Sequence, residues 1–252
     1  MNILVVDTMI VICTKRLYKG DCLTVMDELI ARGVVVDAII CDLPYGVTNC
    51  SWDSVIPFDE MWLRLNKLIK PNGAIVLFGS EPFSSALRMS NIKNYKYDWV
   101  WEKVRPSNPM LAKKQPLRYN ELISVFYKKQ CTYNPQKTKG RRNHSSGKDG
   151  GKHFNQITQT ESIYPNNVDD MKYPKTIQKF SNDLNCQHPT QKPIALMEYL
   201  IKTYTNENEL VLDFTMGSGT TILAAKNLNR RGIGIEMDDK YFDIAKERID
   251  GN

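Results

Sequence analysis

The segment Asp42-Leu43-Pro44-Tyr45-Gly46 constrains the fold of this chain most strongly, because it interrupts the sequence directly after an apolar run. Residues 34–41 form that run and follow Gly33, a pattern typical of a short buried strand. The interruption brings one carboxylate, two backbone carbonyls and one aromatic ring to the end of the strand. Open α/β sheets bind ligands at the carboxyl ends of their strands, so the sequence predicts a binding site here.

A second predicted strand, near the carboxyl end of the chain, leads into a glycine-rich turn. Residues 211–221 read Val-Leu-Asp-Phe-Thr-Met-Gly-Ser-Gly-Thr-Thr, which predicts a strand, a turn at Gly217 and Gly219, and the start of a helix. Such glycines let a cofactor approach the backbone. Glu236 ends the next predicted strand, 17 residues after Gly219, where an acid can bind ribose hydroxyls. NAD enzymes share this arrangement, so it does not identify the cofactor by itself.

Strands and helices alternate over most of the chain, which predicts a parallel sheet. Asp21 is expected to cap a first helix that Gly33 ends, and a second helix is expected from about Pro57 to a turn over 70–73. The other predicted elements are strands 74–78 and 232–235, helices 193–204, 221–227 and 240–249, and two further strands, antiparallel, over 99–102 and 121–128.

Apolar residues lose their periodic spacing over residues 129–186, which are rich in Lys, Asn, Gln, Thr, Ser and Gly. Between Lys128 and Lys152 there are eight Lys or Arg residues and one acid, Asp149. Composition alone favours a solvated surface loop. The sequence therefore predicts one domain, 1–252, with an inserted basic region at 129–186.

The amino-acid composition limits the partners, metal sites and cellular locations that this chain can have. The net charge of +6 and the pI near 8.9 suit a polyanionic partner without requiring one. Six cysteines show no spacing typical of zinc or of a disulfide framework, so no metal site is expected. Residues 1–13 lack the features of a signal peptide and are predicted as an extra strand, and no apolar run is long enough to span a membrane. We expect a cytoplasmic protein.

Taken together, these motifs resemble the amino-directed DNA methyltransferases, which carry an Asp-Pro-Pro-Tyr type motif and a Phe-x-Gly-x-Gly motif. Here the first motif precedes the second, as in the permuted β class of that family. Further blocks in the same order are similar to the family's: 17–22, 70–80, 188–193 and 232–236. The resemblance covers roughly residues 16 to 250. It implies an α/β, Rossmann-like S-adenosylmethionine-dependent methyltransferase sheet, circularly permuted, with an inserted target-recognition region.

The resemblance also implies roles for individual residues. Asp42 and the backbone carbonyl of Leu43 would accept hydrogen bonds from the target amino group, Pro44 would fix the turn, and Tyr45 would stack on an extruded base. S-adenosyl-L-methionine would be bound by Asp21, Thr190, Lys192, Asp213, Phe214, Gly217, Gly219, Thr220 and Glu236. The position of the basic segment between the two motifs implies DNA binding by Lys137, Lys139, Arg141, Arg142, Lys148 and Lys152.

Asp21 is equally well explained as a plain helix cap, and Phe214 as a core residue. The family usually has proline where this chain has Leu43, which removes a fixed torsion but keeps the carbonyl.

The expected function is methylation of adenine N6 at a specific site in double-stranded DNA, with a flipped-out base. Methylation of cytosine N4 is the nearest alternative, and a DNA-binding protein of this fold without turnover is another. A homodimer, a cognate restriction endonuclease and association with a bacterial nucleoid are compatible with this function.

Overall fold

Strands and helices alternate in the computed structural model, which describes residues 15–46, 53–140, 170–184 and 191–251. The described strands are β1 (Lys15–Lys19), β2 (Val36–Asp42), β3 (Ile69–Gly79), β4 (Tyr95–Glu102), β5 (Asn120–Phe126), β6 (Thr138–Lys139), β7 (Met171–Lys172), β8 (Ile177–Lys179), β9 (Leu210–Asp213) and β10 (Arg231–Glu236). The described helices are α1 (Cys22–Ala31), α2 (Phe58–Leu68), α3 (Phe83–Ser90), α4 (Ile194–Tyr204), α5 (Thr220–Asn227) and α6 (Asp239–Asp250).

Eight of the described strands form one mixed sheet in the order β1-β10-β9-β2-β3-β5-β4-β8. Strands β1, β10, β9, β2 and β3 are parallel, whereas β5 is antiparallel to β3 and β4. Strand β1 lies beside β10, the first and last of the described strands, with Lys19 opposite Glu236. This order confirms the predicted circular permutation, because the sheet continues from β10 into β1 across the chain termini.

The central strands are buried on both faces, as parallel strands covered by helices must be. Along β2, Ile39 and Cys41 pack in the cluster that contains α1 and α2, while Ala38 and Ile40 pack in the cluster that contains α4 and α5. Every residue from 36 to 41 is less than 9% exposed. Two helical layers therefore fix β2, and the chain leaves the core only after this strand ends at Asp42.

Residues 70–73 leave the ladder between β2 and β3, since Val36 pairs with Ile69 and Ala38 pairs with Ala74, and this bulge agrees with the predicted break before the strand 74–78. The Asp37 carboxylate lies opposite the bulge and accepts hydrogen bonds from Lys70 and from the backbone N–H of Leu210. The structure differs from the sequence-based prediction at two elements. Helix α3 was not expected from the sequence. Strand β8, which lies within the 129–186 region where no strand was predicted, pairs with β4.

Residues 135–175 form a separate packing unit. Its described residues include the antiparallel pair β6 and β7, with Thr138 opposite Lys172. The Lys137 ammonium lies 4.6 Å from the centre of the Tyr173 ring, within cation–π range. Residues 141–169 of the predicted insertion, and the strand predicted over 1–13, lie outside the described residues. No helix in the described part of the chain is long and apolar enough to cross a membrane.

Gly219 is expected to tolerate no side chain. Its φ is +77°, and an added Cβ would lie 2.8 Å from Ile249 Cδ1 and 2.9 Å from Ala245 Cβ, so the start of α5 could not approach α6 as closely. Gly219→Ala should lower the free energy of unfolding by about 3 kcal/mol, measured by urea titration.

Gly33→Ala is the matched control. Gly33 has a similar φ of +68°, but an added Cβ would meet no atom within 4 Å. The backbone strain alone should cost about 1 kcal/mol. Equal losses at the two positions would contradict the packing explanation for Gly219.

Candidate active site

A cavity of about 330 Å³ lies where β1, β2, β9 and β10 reach their carboxyl ends. This volume is within the range of small-molecule sites. Residues 42–44 of the first sequence motif and residues 213–218 of the second both line the cavity. The predicted site residues that line it are Asp21, Asp42, Leu43, Pro44, Lys192, Asp213, Phe214, Gly217, Thr220 and Glu236.

Asp42 presents its carboxylate at the end of β2. Its Oδ1 accepts a hydrogen bond from the Tyr45 hydroxyl at 2.6 Å, and its Oδ2 is bound by the Lys192 ammonium. Its backbone carbonyl accepts a hydrogen bond from the Thr215 hydroxyl at 2.7 Å, which ties the end of β2 to the loop after β9. A carboxylate has about four acceptor positions, so these contacts leave Asp42 able to accept another donor.

A chain of alternating charges extends from Asp42 into the protein. Lys192 Nζ lies 3.4 Å from Glu121 Oε2, and Glu121 Oε1 pairs with Lys103, whose ammonium lies 5.1 Å from the centre of the Trp101 ring. The side chains of Lys192, Glu121 and Lys103 are 7%, 13% and 11% exposed. Two acids and two bases therefore balance one another in a site with little water.

These contacts determine the charge states of the chain. Burial raises the pKa of Asp42, and the Lys192 ammonium opposes that rise. Burial acts to lower the pKa of Lys192, but the carboxylates of Asp42 and Glu121 outweigh burial and raise it. Burial acts to raise the pKa of Glu121, but Lys192 and Lys103 lower it. Lys192 is thus a permanent cation beside Asp42 at neutral pH.

The glycine turn is held by a carboxylate and a guanidinium. Glu236 accepts hydrogen bonds from the backbone N–H groups of Gly217 and Asp238 at 2.9 and 2.8 Å. Arg248 of α6 donates to the backbone carbonyl and the hydroxyl of Ser218 at 2.5 and 2.8 Å. Gly217 has a φ of +52°, which suits glycine, and it lines the cavity. The turn is therefore preformed.

Asp213 ends β9 and is 3% exposed. Its carboxylate accepts hydrogen bonds from the Thr221 hydroxyl at 2.5 Å and from the backbone N–H of Thr215 at 3.2 Å. Burial raises the pKa of Asp213 to about 6. A buried carboxylate facing a cavity is suited to bind a cationic group, because pairing offsets its desolvation.

The structure brings most, but not all, of the predicted site residues to this cavity. Gly219 packs against α6, and Thr220 accepts a hydrogen bond from Arg248 at 3.2 Å. Asp21 caps α1 by accepting from the backbone N–H of Thr24 at 2.9 Å, and it also lines the cavity. Thr190 lies outside the described residues, as do Arg141, Arg142, Lys148 and Lys152, whereas Lys137 and Lys139 lie at and beside β6.

Lys192 contacts Asp42, whereas the sequence resemblance assigned it to the cofactor carboxylate. The residues that sequence reasoning missed are those that support Asp42 and the turn: Glu121, Lys103, Thr215 and Arg248. Glu121 and Lys103 lie at the ends of apolar strands, which is a weak signal because solvated strand ends have the same appearance. Their pairing depends on the antiparallel register of β4 and β5.

The fold and this cavity fit S-adenosylmethionine, the cofactor that the sequence resemblance implies. The fit to the cofactor rests on the preformed glycine turn, the two acids Asp213 and Glu236, and the volume of the cavity. S-adenosylmethionine, when bound, supplies a methyl group on a sulfonium. Within the described residues, no group of three or more His, Cys, Asp or Glu is placed to hold a metal ion.

Comparison with known proteins identifies the family. Residues 36–247 match the N6/N4 family model described as DNA methylase. The chain is 28% identical to the type II methyltransferase M.HpaI of Haemophilus parainfluenzae over 85% of this chain and 68% of that protein. It is 30% identical to the type II methyltransferase M2.DpnII of Streptococcus pneumoniae over 85% of this chain and 82% of that protein.

A solved structure, the M1.HpyAVI complex with SAM, is 29% identical and has a TM-score of 0.65, covering 93% of this chain and 98% of that chain. The chain belongs to the N6/N4 DNA methylase family. It is an S-adenosylmethionine-dependent DNA methyltransferase, and the predictions of fold, enzyme class and cofactor are confirmed.

Cofactor affinity is expected to fall in acid through Asp213. Below its pKa of about 6 the carboxyl group is protonated and neutral, so it no longer pairs with the methionine ammonium of the cofactor. Between about pH 7 and about pH 5 the affinity measured by calorimetry should fall about ten-fold. Asp213→Asn should bind weakly at both pH values and lose most of this dependence. If Asp213→Asn still loses affinity about ten-fold between about pH 7 and about pH 5, the loss is caused by the protonation of another group.

Replacing Lys192 should affect catalysis more than cofactor binding. Lys192→Met removes the cation from Asp42, so the pKa of Asp42 should rise further and the acid limb of the kcat/KM profile should move to higher pH. Lys192→Arg keeps the charge and should retain much of the activity. If Lys192 instead holds the cofactor carboxylate, calorimetry will show at least a ten-fold loss of S-adenosylmethionine affinity in Lys192→Met.

Proposed function

We propose that this enzyme methylates adenine N6 in double-stranded DNA, within a short fixed sequence, after the base leaves the helix. The observation that carries the proposal is that Asp42, Leu43 and Pro44 line the same cavity as the glycine turn and Glu236. An amino group held by the first set of residues would lie beside a methyl donor held by the second. A base within the duplex cannot reach such a cavity, so the base must flip.

The chemical difficulty is that the lone pair of an exocyclic amine is delocalised into the ring. Asp42 accepts one N–H of the amine and the backbone carbonyl of Leu43 accepts the other, which turns the nitrogen toward tetrahedral geometry and directs its lone pair at the methyl group. The Asp42 carboxylate also stabilises the positive charge that grows on the nitrogen. The proton displaced from the amine is held by Asp42 until water removes it.

The contacts of Asp42 support this role. The Tyr45 hydroxyl and the Lys192 ammonium fix both carboxylate oxygens, so Asp42 has little freedom to rotate. Burial raises the pKa of Asp42, and the Lys192 ammonium opposes that rise. The Tyr45 ring lies 5.1 Å from the Phe83 ring and packs against both core clusters, and Tyr45 is not among the residues that line the cavity, so its stacking on the base stays a prediction.

The cofactor assignments follow from the same cavity. Asp213 binds the methionine ammonium, and Glu236 binds the ribose hydroxyls with the acceptor positions that Gly217 and Asp238 leave open. Asp21 and Phe214, which line the cavity, are assigned to the cofactor adenine, and Thr220, which also lines it, is assigned to the methionine end. Thr190 and Gly219 keep the cofactor-binding roles that the sequence resemblance implies.

Target recognition is assigned to the inserted region 129–186, with Lys137, Lys139, Arg141, Arg142, Lys148 and Lys152 contacting phosphates. The type II names of the relatives support a cognate restriction endonuclease as a partner. A homodimer and a location at the nucleoid are compatible with this function.

Adenine is proposed over cytosine because family members with aspartate at the first motif position mostly methylate adenine, whereas those with serine mostly methylate cytosine N4. The test is to incubate unmethylated genomic DNA with the protein and S-adenosylmethionine, digest it to nucleosides and separate them by mass. N6-methyladenine is expected. N4-methylcytosine without N6-methyladenine would refute the choice of base.

Asp42→Ala is the control in the same experiment. It should abolish the product while leaving cofactor affinity within about three-fold, because Asp42 faces the base. Glu236→Ala should show the reverse pattern, with weakened cofactor binding and residual transfer at saturation.

A further inference from the structure

The loop that joins β4 and β5, residues 103–119, is basic and exposed. It contains five Lys or Arg residues and no Asp or Glu. Lys103, at its foot, is paired with Glu121, while Arg105, Lys113, Lys114 and Arg118 are exposed. Four exposed charges of one sign on a short loop repel one another, and a polyanion would relieve that repulsion.

The loop has a defined structure of its own. Its two sides are joined by hydrogen bonds from the backbone N–H of Ser107 to the carbonyl of Arg118, at 3.0 Å, and from the backbone N–H of Arg118 to the side chain of Asn108, at 2.6 Å. The Asn108 amide also donates to the carbonyl of Pro116 at 3.1 Å. A 3₁₀ turn, Pro109–Leu111, forms the tip. Its cations are therefore held in place and do not lie on a structureless tail.

Sheet topology places this loop at the catalytic edge. Because β5 is antiparallel to both β3 and β4, β4 runs in the same direction as β3 and β2. Glu102 at the end of β4 is therefore at the edge where β2 ends at Asp42. The Lys103, Glu121 and Lys192 side chains connect the foot of the loop to Asp42.

Apolar side chains are exposed at the tip. Met110 is 95% exposed and Leu111 39% exposed. Single exposed apolar residues are common on protein surfaces. Two adjacent ones on a hydrogen-bonded loop, flanked by cations and at the sheet edge where the cavity opens, match the apolar wedges that fill or open a base step in distorted DNA.

We propose that the 103–119 loop is a second DNA-binding surface, distinct from the inserted region 129–186. Arg105, Lys113, Lys114 and Arg118 contact phosphates next to the target base, and Met110 packs against the base step that the flipped base leaves. The proposal rests on DNA as the substrate and does not depend on which base is methylated.

The charge part is tested with Lys113→Gln/Lys114→Gln, by titrating a short labelled duplex of mixed sequence over a range of salt concentrations. The slope of log affinity against log salt should fall by about 0.9 for each lost contact, and affinity at moderate salt should fall about ten-fold or more. Lys93→Gln/Lys96→Gln is the matched control, since both lysines are exposed at the opposite end of β4, and it should leave the slope unchanged. Equal slopes for both double variants would overturn the proposal.

The wedge is tested with Met110→Ser against Met89→Ser, a methionine of α3 that is 70% exposed. Incorporation of labelled methyl groups into unmethylated genomic DNA measures kcat/KM whichever base accepts them. Met110→Ser should lower kcat/KM about ten-fold, and Met89→Ser should not change it. Wild-type kcat/KM in Met110→Ser refutes the wedge. A lower mass in solution for Met110→Ser, with unchanged DNA affinity, would show that the tip binds a second copy of the chain.

Discussion

The ion pair between Lys192 and Asp42 is the interaction on which the site depends. The two residues are 150 positions apart in sequence, one just before α4 and the other at the end of β2. Two charges buried in a protein gain little net stability from each other, but loss of one leaves the other without compensation. The pair joins the segment before α4 to the end of β2 and, with the Tyr45 hydroxyl, orients the Asp42 carboxylate, while the ammonium opposes the rise in pKa that burial causes.

Further charged side chains extend the network beyond this pair and connect separate parts of the fold. Glu121 on β5 is adjacent to Lys192, and Lys103 at the foot of the 103–119 loop binds Glu121. Each carboxylate lies beside an ammonium, which lowers the electrostatic cost of burying four ionised groups in a medium of low dielectric constant. The loop that carries the exposed cations is thus attached to the network that holds the Asp42 carboxylate.

The sequence was sufficient to predict the structure where residues close together along the chain specify the conformation. The turn at Gly217 and Gly219, the cap at Asp21 and the break after β2 follow from residue types at fixed spacing, and the position of β1 beside β10 follows from the permuted order of the motifs. Local patterns failed where a distant partner decides the conformation. Strand β8 forms within the stretch that lacks periodic apolar residues because it pairs with β4, which lies much earlier in the chain, with Ile177 opposite Val100.

The sequence by itself determined the family and the alternating α/β sheet and indicated the candidate site residues, because these are encoded in motifs of contiguous residues. Only the tertiary structure decided that Lys192 binds Asp42, that Glu121, Lys103 and Thr215 support it, and that Arg248 holds the glycine turn. These contacts join residues that are remote in sequence and meet only after the strands take their register. No spacing along the chain can specify which cation a buried carboxylate will select, since that choice depends on the three-dimensional distances between them.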